Sequence, residues 1–309
     1  LSFQIKHIKK IKISMNKVTK GIIGIDLGAT MTSAGIVHGK TITKYIEKKT
    51  PAGETKENVL KHLYNIIESF DLVNVKAIGI GVPSVVDIEN GIVFDVQNIP
   101  SWKEIRLKKI LEEKFNLPIY INNDANCFTA GEKHYGIGQS ADFLVGLVIG
   151  TGLGGGIILD GSLYNGPNCG AGEFGMLPYR AKNIEYYCSG QFFLHAGKKG
   201  EEFSALARNG DPEALMIFKD FGFHMGNAIQ TVLYTYDPDL IVLGGSISKD
   251  FDLFCESMWE SIYTFAYKSI IKSIRIQPSE TEHSAVLGAA SLYLDHLKRH
   301  PKTPHYQKL

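Results

Sequence analysis

The chain has 309 residues, 44% of them hydrophobic, and a formal net charge of only +1. That length and apolar content suffice for two cores of ordinary domain size. The charge is uneven: residues 1–20 hold six Lys and no acid, leaving 27 basic against 32 acidic residues in the body, a mildly acidic balance that gives no support for nucleic-acid binding. No apolar run approaches the length needed to span a membrane. The basic start admits a surface-binding arm, a targeting peptide or a disordered leader. Lys interrupts every apolar pair there, which removes a signal-peptide core, and residues 1–20 are read as a disordered basic leader with Met15 as a candidate natural start. The four cysteines, Cys127, Cys169, Cys188 and Cys255, form no C-x-x-C pair. They are expected to be free thiols in a reducing cytoplasm.

In chain order, IIGIDLGATMTSAGIV (22–37) reads as strand, tight turn, strand, followed by a third strand over 40–48. Residues 56–70 read as an amphipathic helix, because Val59, Leu60, Leu63, Ile66 and Ile67 recur at helical spacing. VKAIGIGV (75–82) is a short buried strand ended by Pro83-Ser84. A short helix over 106–115 puts Leu107, Ile110 and Leu111 on one face, and a strand from Pro118 delivers Asn123 and Asp124 to a helix over 125–135. LVGLVIGTGLGGGIIL (144–159) is a second glycine-rich hairpin. A Gly-rich loop (165–175), helices over 202–208 and 212–236, and a buried strand (240–243) ending in Gly244-Gly245-Ser246 follow. A helix over 251–267, a strand over 274–278 and an apolar helix over 286–297 complete the chain. The hairpins look alike, and each opens a stretch of strands followed by helices. Two α/β lobes with mixed sheets, related by an old duplication, are therefore expected.

The hairpin turns carry the first chemical signal. Turns without bulky side chains expose backbone N–H groups that can wrap phosphate oxygens. In Asp26-Leu-Gly28-Ala29-Thr30, Gly28 permits the turn, Thr30 offers a hydroxyl, and Asp26 ends a strand where its carboxylate can hold Mg²⁺ through water. Thr151, Gly152, Gly154 and Gly155 belong to the second turn. Its G-x-G-x-x-G spacing runs into a strand, IILDG, and not a helix, so a dinucleotide fold is excluded. A run this rich in Gly has a backbone-entropy cost with no packing return in sight, which favours a ligand. Between the hairpins, Asn123-Asp124 reads as a helix cap or as a substrate-orienting amide with a general base. Glu173 and Glu185 are further carboxylates suited to accept sugar hydroxyls, although a lone Glu such as Glu185 is usually a solvated surface residue. Gly244, Gly245 and Ser246 end a strand where an adenosine or ribose face can lie, or where Ser246 or Ser248 caps a helix.

These residues resemble the ROK family (repressors, open reading frames and sugar kinases). The landmarks IGIDLGAT, GVPSVVD, Asn98 to Trp102, NNDAN, VIGTGLGGGII, GAGEFG, EYYCSG and DLIVLGGSIS occur in order over Gly21 to about Leu297. The resemblance implies a two-lobed α/β fold of the actin-like ATPase (ribonuclease H-like) type. Its mixed sheets would form a small lobe over 21–124 plus 286–309, a large lobe over 125–285, and a cleft between them. It implies ATP-dependent phosphorylation of a hexose or N-acetylhexosamine hydroxyl, at O6. Asp124 would be the base, and Asn98, Asn123, Glu173 and Glu185 would be sugar ligands. Asp26, Gly28, Ala29 and Thr30, with Thr151, Gly152, Gly154 and Gly155, would form the phosphate loops. Gly244, Gly245 and Ser246 would belong to the nucleotide pocket. ATP and Mg²⁺ are the implied cofactors, and a cytoplasmic homodimer the implied state. Trp259 to Tyr267 would serve either its interface or the core.

The sequence departs from the family pattern at one place. The family commonly reads E-x-G-H and then a cysteine cluster, with the His joining sugar recognition and a structural zinc. Here the residues are Glu173-Phe-Gly-Met176, and Leu177 to Ile184 contains no Cys. Methionine cannot replace imidazole toward a hydroxyl and is a poor zinc ligand. Zinc is therefore not expected, and packing by Phe174, Met176, Tyr186 and Tyr187 is expected to hold this loop. The alternative function is a sugar-sensing regulator. Family repressors carry an N-terminal DNA-binding module needing roughly 50 residues with its linker, against about 20 ahead of the first hairpin here, so a kinase is the reading preferred.

Overall fold

A computed structural model of the chain describes residues 20–96 and 99–300. The readings of the leader and of Asn98 fall outside the described residues. Strands β1 (Gly21–Leu27) and β2 (Met31–His38) form the first hairpin, and β3 (Thr41–Lys49) extends it. Helix α1 (Lys56–Ile67) begins where the Thr55 side chain accepts the Asn58 N–H, and it buries the five predicted apolar residues in one core with Ile23, Ile25 and Ile80. Strand β4 (Val75–Val82) pairs in parallel with β1. Then β5 (Val85–Asp87), β6 (Ile92–Phe94) and β7 (Glu104–Ile105) make a separate small ribbon. The sequence reading lacked that ribbon, because strands of two or three residues are too short to display alternation. Helix α2 (Leu107–Phe115) leads to β8 (Ile119–Asn123), parallel to β4.

Helix α3 (Asp124–His134) crosses to the second half, where β9 (Leu144–Ile149), β10 (Leu153–Leu159) and β11 (Ser162–Tyr164) form an antiparallel meander. A tight hairpin, β12 (Pro178–Tyr179) and β13 (Lys182–Asn183), precedes short helices α4 (Ile184–Cys188) and α5 (Gly190–His195). Helices α6 (Gly200–Arg208) and α7 (Pro212–Tyr236) follow, then β14 (Leu240–Gly244). The helix predicted over 251–267 is shorter: α8 (Phe251–Ile262) ends early, and α9 (Lys268–Ser273), which was not predicted, begins beyond it. Its end has a local cause. The Thr264 N–H and hydroxyl both donate to the Ser261 carbonyl, closing the turn and driving Phe265 into the core. Strand β15 (Arg275–Pro278) and helix α10 (Ser284–Arg299) complete the described chain. No helix among the described residues is long and apolar enough to cross a membrane.

The first sheet runs β3-β2-β1-β4-β8 and the second β11-β10-β9-β14-β15. Order and strand sense repeat: two antiparallel pairings, then two parallel ones. The helix that follows each sheet packs on the other. Helix α10 lies so close to the first sheet that a Cβ on Gly79 would sit 1.8 Å from the Ala289 carbonyl oxygen, and a Cβ on Gly146 or Gly156 would sit 2.3 Å from Thr129 Oγ1 of α3. The two helices meet where Gly288 of α10 faces the Cys127 carbonyl of α3. This exchange fixes the β8–α3 corner, and with it Asn123 and Asp124, between the two sheets.

Candidate active site

The β1–β2 turn is held from behind. The Gly28 carbonyl accepts the Thr50 hydroxyl at 2.7 Å, and the Thr30 carbonyl accepts the Thr50 N–H at 2.9 Å. Thr50 Oγ1 lies 2.8 Å from Thr32 Oγ1, which lies 3.0 Å from His62 Nε2. Burial, then the charge of Lys48, lowers the proton affinity of His62. A neutral ring donating from Nε2 through Thr32 and Thr50 to Gly28 is the direction consistent with all three bonds. Sequence reading missed this chain, since a Thr before Pro51 and one helical His carry no local signal.

The β9–β10 turn is braced as well. The Gly150 carbonyl accepts the Gly190 N–H at 2.7 Å, and the Leu153 N–H donates to Glu185 Oε2 at 2.9 Å. Gln191 Nε2 donates to the other Glu185 oxygen, also at 2.9 Å. Glu185 is thus part of the site's frame and not a solvated surface residue. The glycines have the packing reason that the sequence did not reveal. A Cβ on Gly152 would lie 2.5 Å from Glu185 Oε2, and one on Gly155 would lie 2.5 Å from the Gly172 carbonyl oxygen.

At the β8–α3 corner the helix cap is Asn123. Its Oδ1 accepts the Ala125 and Asn126 N–H groups at 2.9 and 3.3 Å, which leaves the Asp124 carboxylate outside the cap with one bond, from the Ala125 N–H at 2.8 Å. Beneath it, Asn122 Oδ1 accepts the Asn123 N–H and Asn126 Nδ2, and Asn122 Nδ2 donates to Asn165 Oδ1 at 3.0 Å. That buried amide network ties the corner to the loop bearing Glu173.

These parts border one cleft of about 720 Å³, lined among others by Gly28, Ala29, Asn123, Asp124, Thr151, Gly152, Gly154, Glu173, Met176 and Glu185. Asp26 stands just behind the first turn. Several expected residues lie elsewhere. Gly155 faces Gly172 and Phe174, and Gly244 is buried against the Phe128 ring. Gly245 adopts a φ of +87° next to the Ile149 carbonyl. Ser246 and Thr30 are exposed but outside the cleft lining, and Ser246 makes no capping bond with its side chain.

Burial raises the proton affinity of three carboxyls, and neighbouring carboxylates add to it at Asp26 and Glu173. Burial, then the Asp124 charge, pushes Asp26 up to about 7. Burial also raises Asp124, partly offset by the Ala125 N–H, and Glu173 is raised by burial and then by Asp124 and Glu185. Every charged side chain among the described lining residues is acidic: Asp95, Asp124, Glu173 and Glu185. A carboxyl raised from 3.8 to about 7 favours the folded state below 3.8 and loses that contribution as pH rises through 7. Asp26→Asn is therefore expected to melt higher than the parent at pH 8, with the gain shrinking as the pH falls from 7 toward 4. Thermal melts across that range check this.

The loop after Glu173 is held differently from the expectation. Phe174 is buried and Tyr187 packs on the core, but Met176 is 54% exposed toward the cleft, and Tyr186 stacks on His195. The hairpin that follows turns at Arg180, with φ +51°. Its Tyr179 hydroxyl lies 3.1 Å from His224 Nδ1, and the Tyr187 ring sits 4.9 Å from His224. Burial, then Arg180, pushes His224 down to about 4, so the ring stays neutral and can accept from Tyr179. No group of three or more His, Cys, Asp or Glu among the described residues is placed to hold a metal.

Comparison with known proteins matches residues 22–296 to a family described as the ROK family. A glucokinase of Thermotoga maritima is 29% identical over 306 residues, spanning 88% of this chain and 96% of its own. A xylose repressor of Bacillus subtilis is 26% identical over 312 residues, spanning 93% of this chain and 80% of its own. The ROK hexokinase from Thermus thermophilus has a TM-score of 0.76 at 26% identity, covering 90% of this chain and 99% of that one. A ROK family glucokinase from Streptomyces griseus, solved with glucose and AMPPNP, has a TM-score of 0.74 at 26% identity, covering 88% and 98%.

Proposed function

The chain belongs to the ROK family and has the two-lobed actin-like ATPase fold, and from that premise we propose that it phosphorylates a hydroxyl of a neutral hexose or N-acetylhexosamine, at O6, with ATP. The observation that carries this reading is Asp124, a carboxylate of raised proton affinity that shares one cleft with both glycine turns, Glu173 and Glu185.

A triphosphate entering this cleft meets backbone N–H groups and acidic side chains, with no Lys, Arg or His among the described lining residues. The donor set therefore fits a nucleotide together with a divalent cation, for which Asp26, at the end of β1, would be a carboxyl ligand through water. Magnesium, when bound, would supply the missing positive charge to the phosphates. The N–H groups around Gly28–Thr30 and Gly150–Gly154 would position them. Asn123 orients the sugar, and Glu173 and Glu185 accept its hydroxyls. Asp124 takes the proton of the attacking hydroxyl, and catalysis is otherwise positioning. Lobe closure over the cleft would exclude water as a competing acceptor. Tyr263 and Tyr267, 61% and 60% exposed, offer a face for pairing two copies.

Similarity to xylose repressors supports a second reading, a sugar sensor without turnover. Coupled ADP-release assays over a hexose panel separate the two. Sugar-dependent ADP release is expected, and sugar binding with no release under any condition would favour the sensor.

A further inference from the structure

The peptide between Gly28 and Ala29 is trans, so its N–H points opposite to its carbonyl. That carbonyl is turned to the rear, where it accepts the Thr50 hydroxyl. The Ala29 N–H therefore points away from Thr50. It has no partner among the described residues, and Gly28 and Ala29 both line the cleft. Thr50 also donates its own N–H to the Thr30 carbonyl, so one residue fixes both ends of the turn. Behind it, three elements converge: β2 supplies Thr32, the chain after β3 supplies Thr50, and α1 supplies His62. Thr32 and Thr50 are both buried. Because the Thr50 hydroxyl gives its proton to Gly28, it can only accept from Thr32, and the Thr32 hydroxyl can then only accept from the His62 Nε2–H. Hydrogen bonds in series polarise one another, so an accepting carbonyl makes the N–H of its own peptide a better donor.

Resting on the kinase reading, which lays the phosphates against this turn, we infer that Thr50, backed by Thr32 and His62, is a positioning residue for the nucleotide, aiming and strengthening the Ala29 N–H toward a phosphate oxygen. None of the three is among the described residues that line the cleft, so they act through the peptide and not by touching the nucleotide.

The test reads three quantities: affinity for AMPPNP with Mg²⁺ by calorimetry, sugar affinity without nucleotide, and sugar-dependent ADP release over the hexose panel. Thr50→Val is expected to weaken AMPPNP binding and raise the KM for ATP by about tenfold, with sugar affinity within about twofold of the parent. Thr50→Ser keeps the hydroxyl and is expected to restore most of the loss. His62→Leu, at the far end of the chain, is expected to weaken AMPPNP by about threefold. The double variant should bind AMPPNP no more weakly than Thr50→Val alone, because the groups act in series; a merely structural role predicts losses that add. Melts check the fold of each variant, and His62→Leu decides should Thr50→Val not fold. Unchanged AMPPNP affinity in the folded variants, or an equal loss of sugar and nucleotide affinity, overturns the inference, and ADP release by the parent then leaves the kinase reading intact. The expected losses in AMPPNP affinity, with no ADP release by the parent on any sugar, uphold the inference and overturn the kinase reading. A parent that binds no AMPPNP overturns both.

Discussion

Asp124→Asn is expected to lower kcat by about 10³-fold or more, while sugar affinity measured by calorimetry stays within a few-fold of the parent; a positioned base supplies about 10²–10⁴-fold on its own. The substitution is conservative for the fold. The cap of α3 is made by Asn123, and the one bond that Asp124 accepts, from the Ala125 N–H, can go to the amide oxygen of the replacement. What is removed is the proposed proton acceptor. Burial raises the Asp124 proton affinity, so in the parent kcat/KM should fall as the pH drops through a carboxyl value above the ordinary 3.8. The mutant's residual rate should lack that acidic limb. Near-normal turnover in the mutant would remove Asp124 from the chemistry.

The second large effect concerns stability. Gly288→Ala is expected to destabilise the protein by about 3 kcal/mol, the upper range for overpacking a tight core. The new methyl would sit 1.9 Å from the Cys127 carbonyl oxygen, a backbone atom in the first turn of α3. Relief requires α3 and α10 to separate, and each of those helices is clasped against the opposite sheet. Because Asp124 begins α3, the shift should also raise the sugar KM in whatever fraction stays folded. Denaturant melts give the first number and steady-state kinetics the second. A variant within 1 kcal/mol of the parent would mean that the two helices part with little resistance.

Much of this was legible in the sequence where the pattern was long. The five apolar positions of α1, the buried strand over 75–82 and the paired hairpins declare themselves through periodicity and glycine turns. Long-range partners do not. Nothing near Thr50 or His62 in sequence points to the back of the first glycine turn, and Glu185 looks like any surface Glu until Leu153 and Gln191 are seen bonded to it. The glycine run of the second turn was assigned to ligand contact alone, because the neighbours that need its missing Cβ atoms, Glu185 and Gly172, come from elsewhere in the chain. Met176 misled in the opposite direction: an apolar residue in an aromatic stretch suggested packing, yet the tight turn after Glu173 leaves it facing the cleft. The early end of α8 coincides with the Thr264 N–H and hydroxyl both donating to the Ser261 carbonyl, a local competition that apolar periodicity does not display.

The most direct measurement is a crystal structure with the hexose or N-acetylhexosamine that supports turnover and a non-hydrolysable ATP analogue bound together. The account predicts one sugar hydroxyl at about 2.6–3.2 Å from the Asp124 carboxylate, with that oxygen in line with the terminal phosphorus and the phosphates against both glycine turns. A ternary complex in which the Asp124 carboxylate points away from every sugar hydroxyl, or in which the phosphates bind outside the two turns, would contradict it.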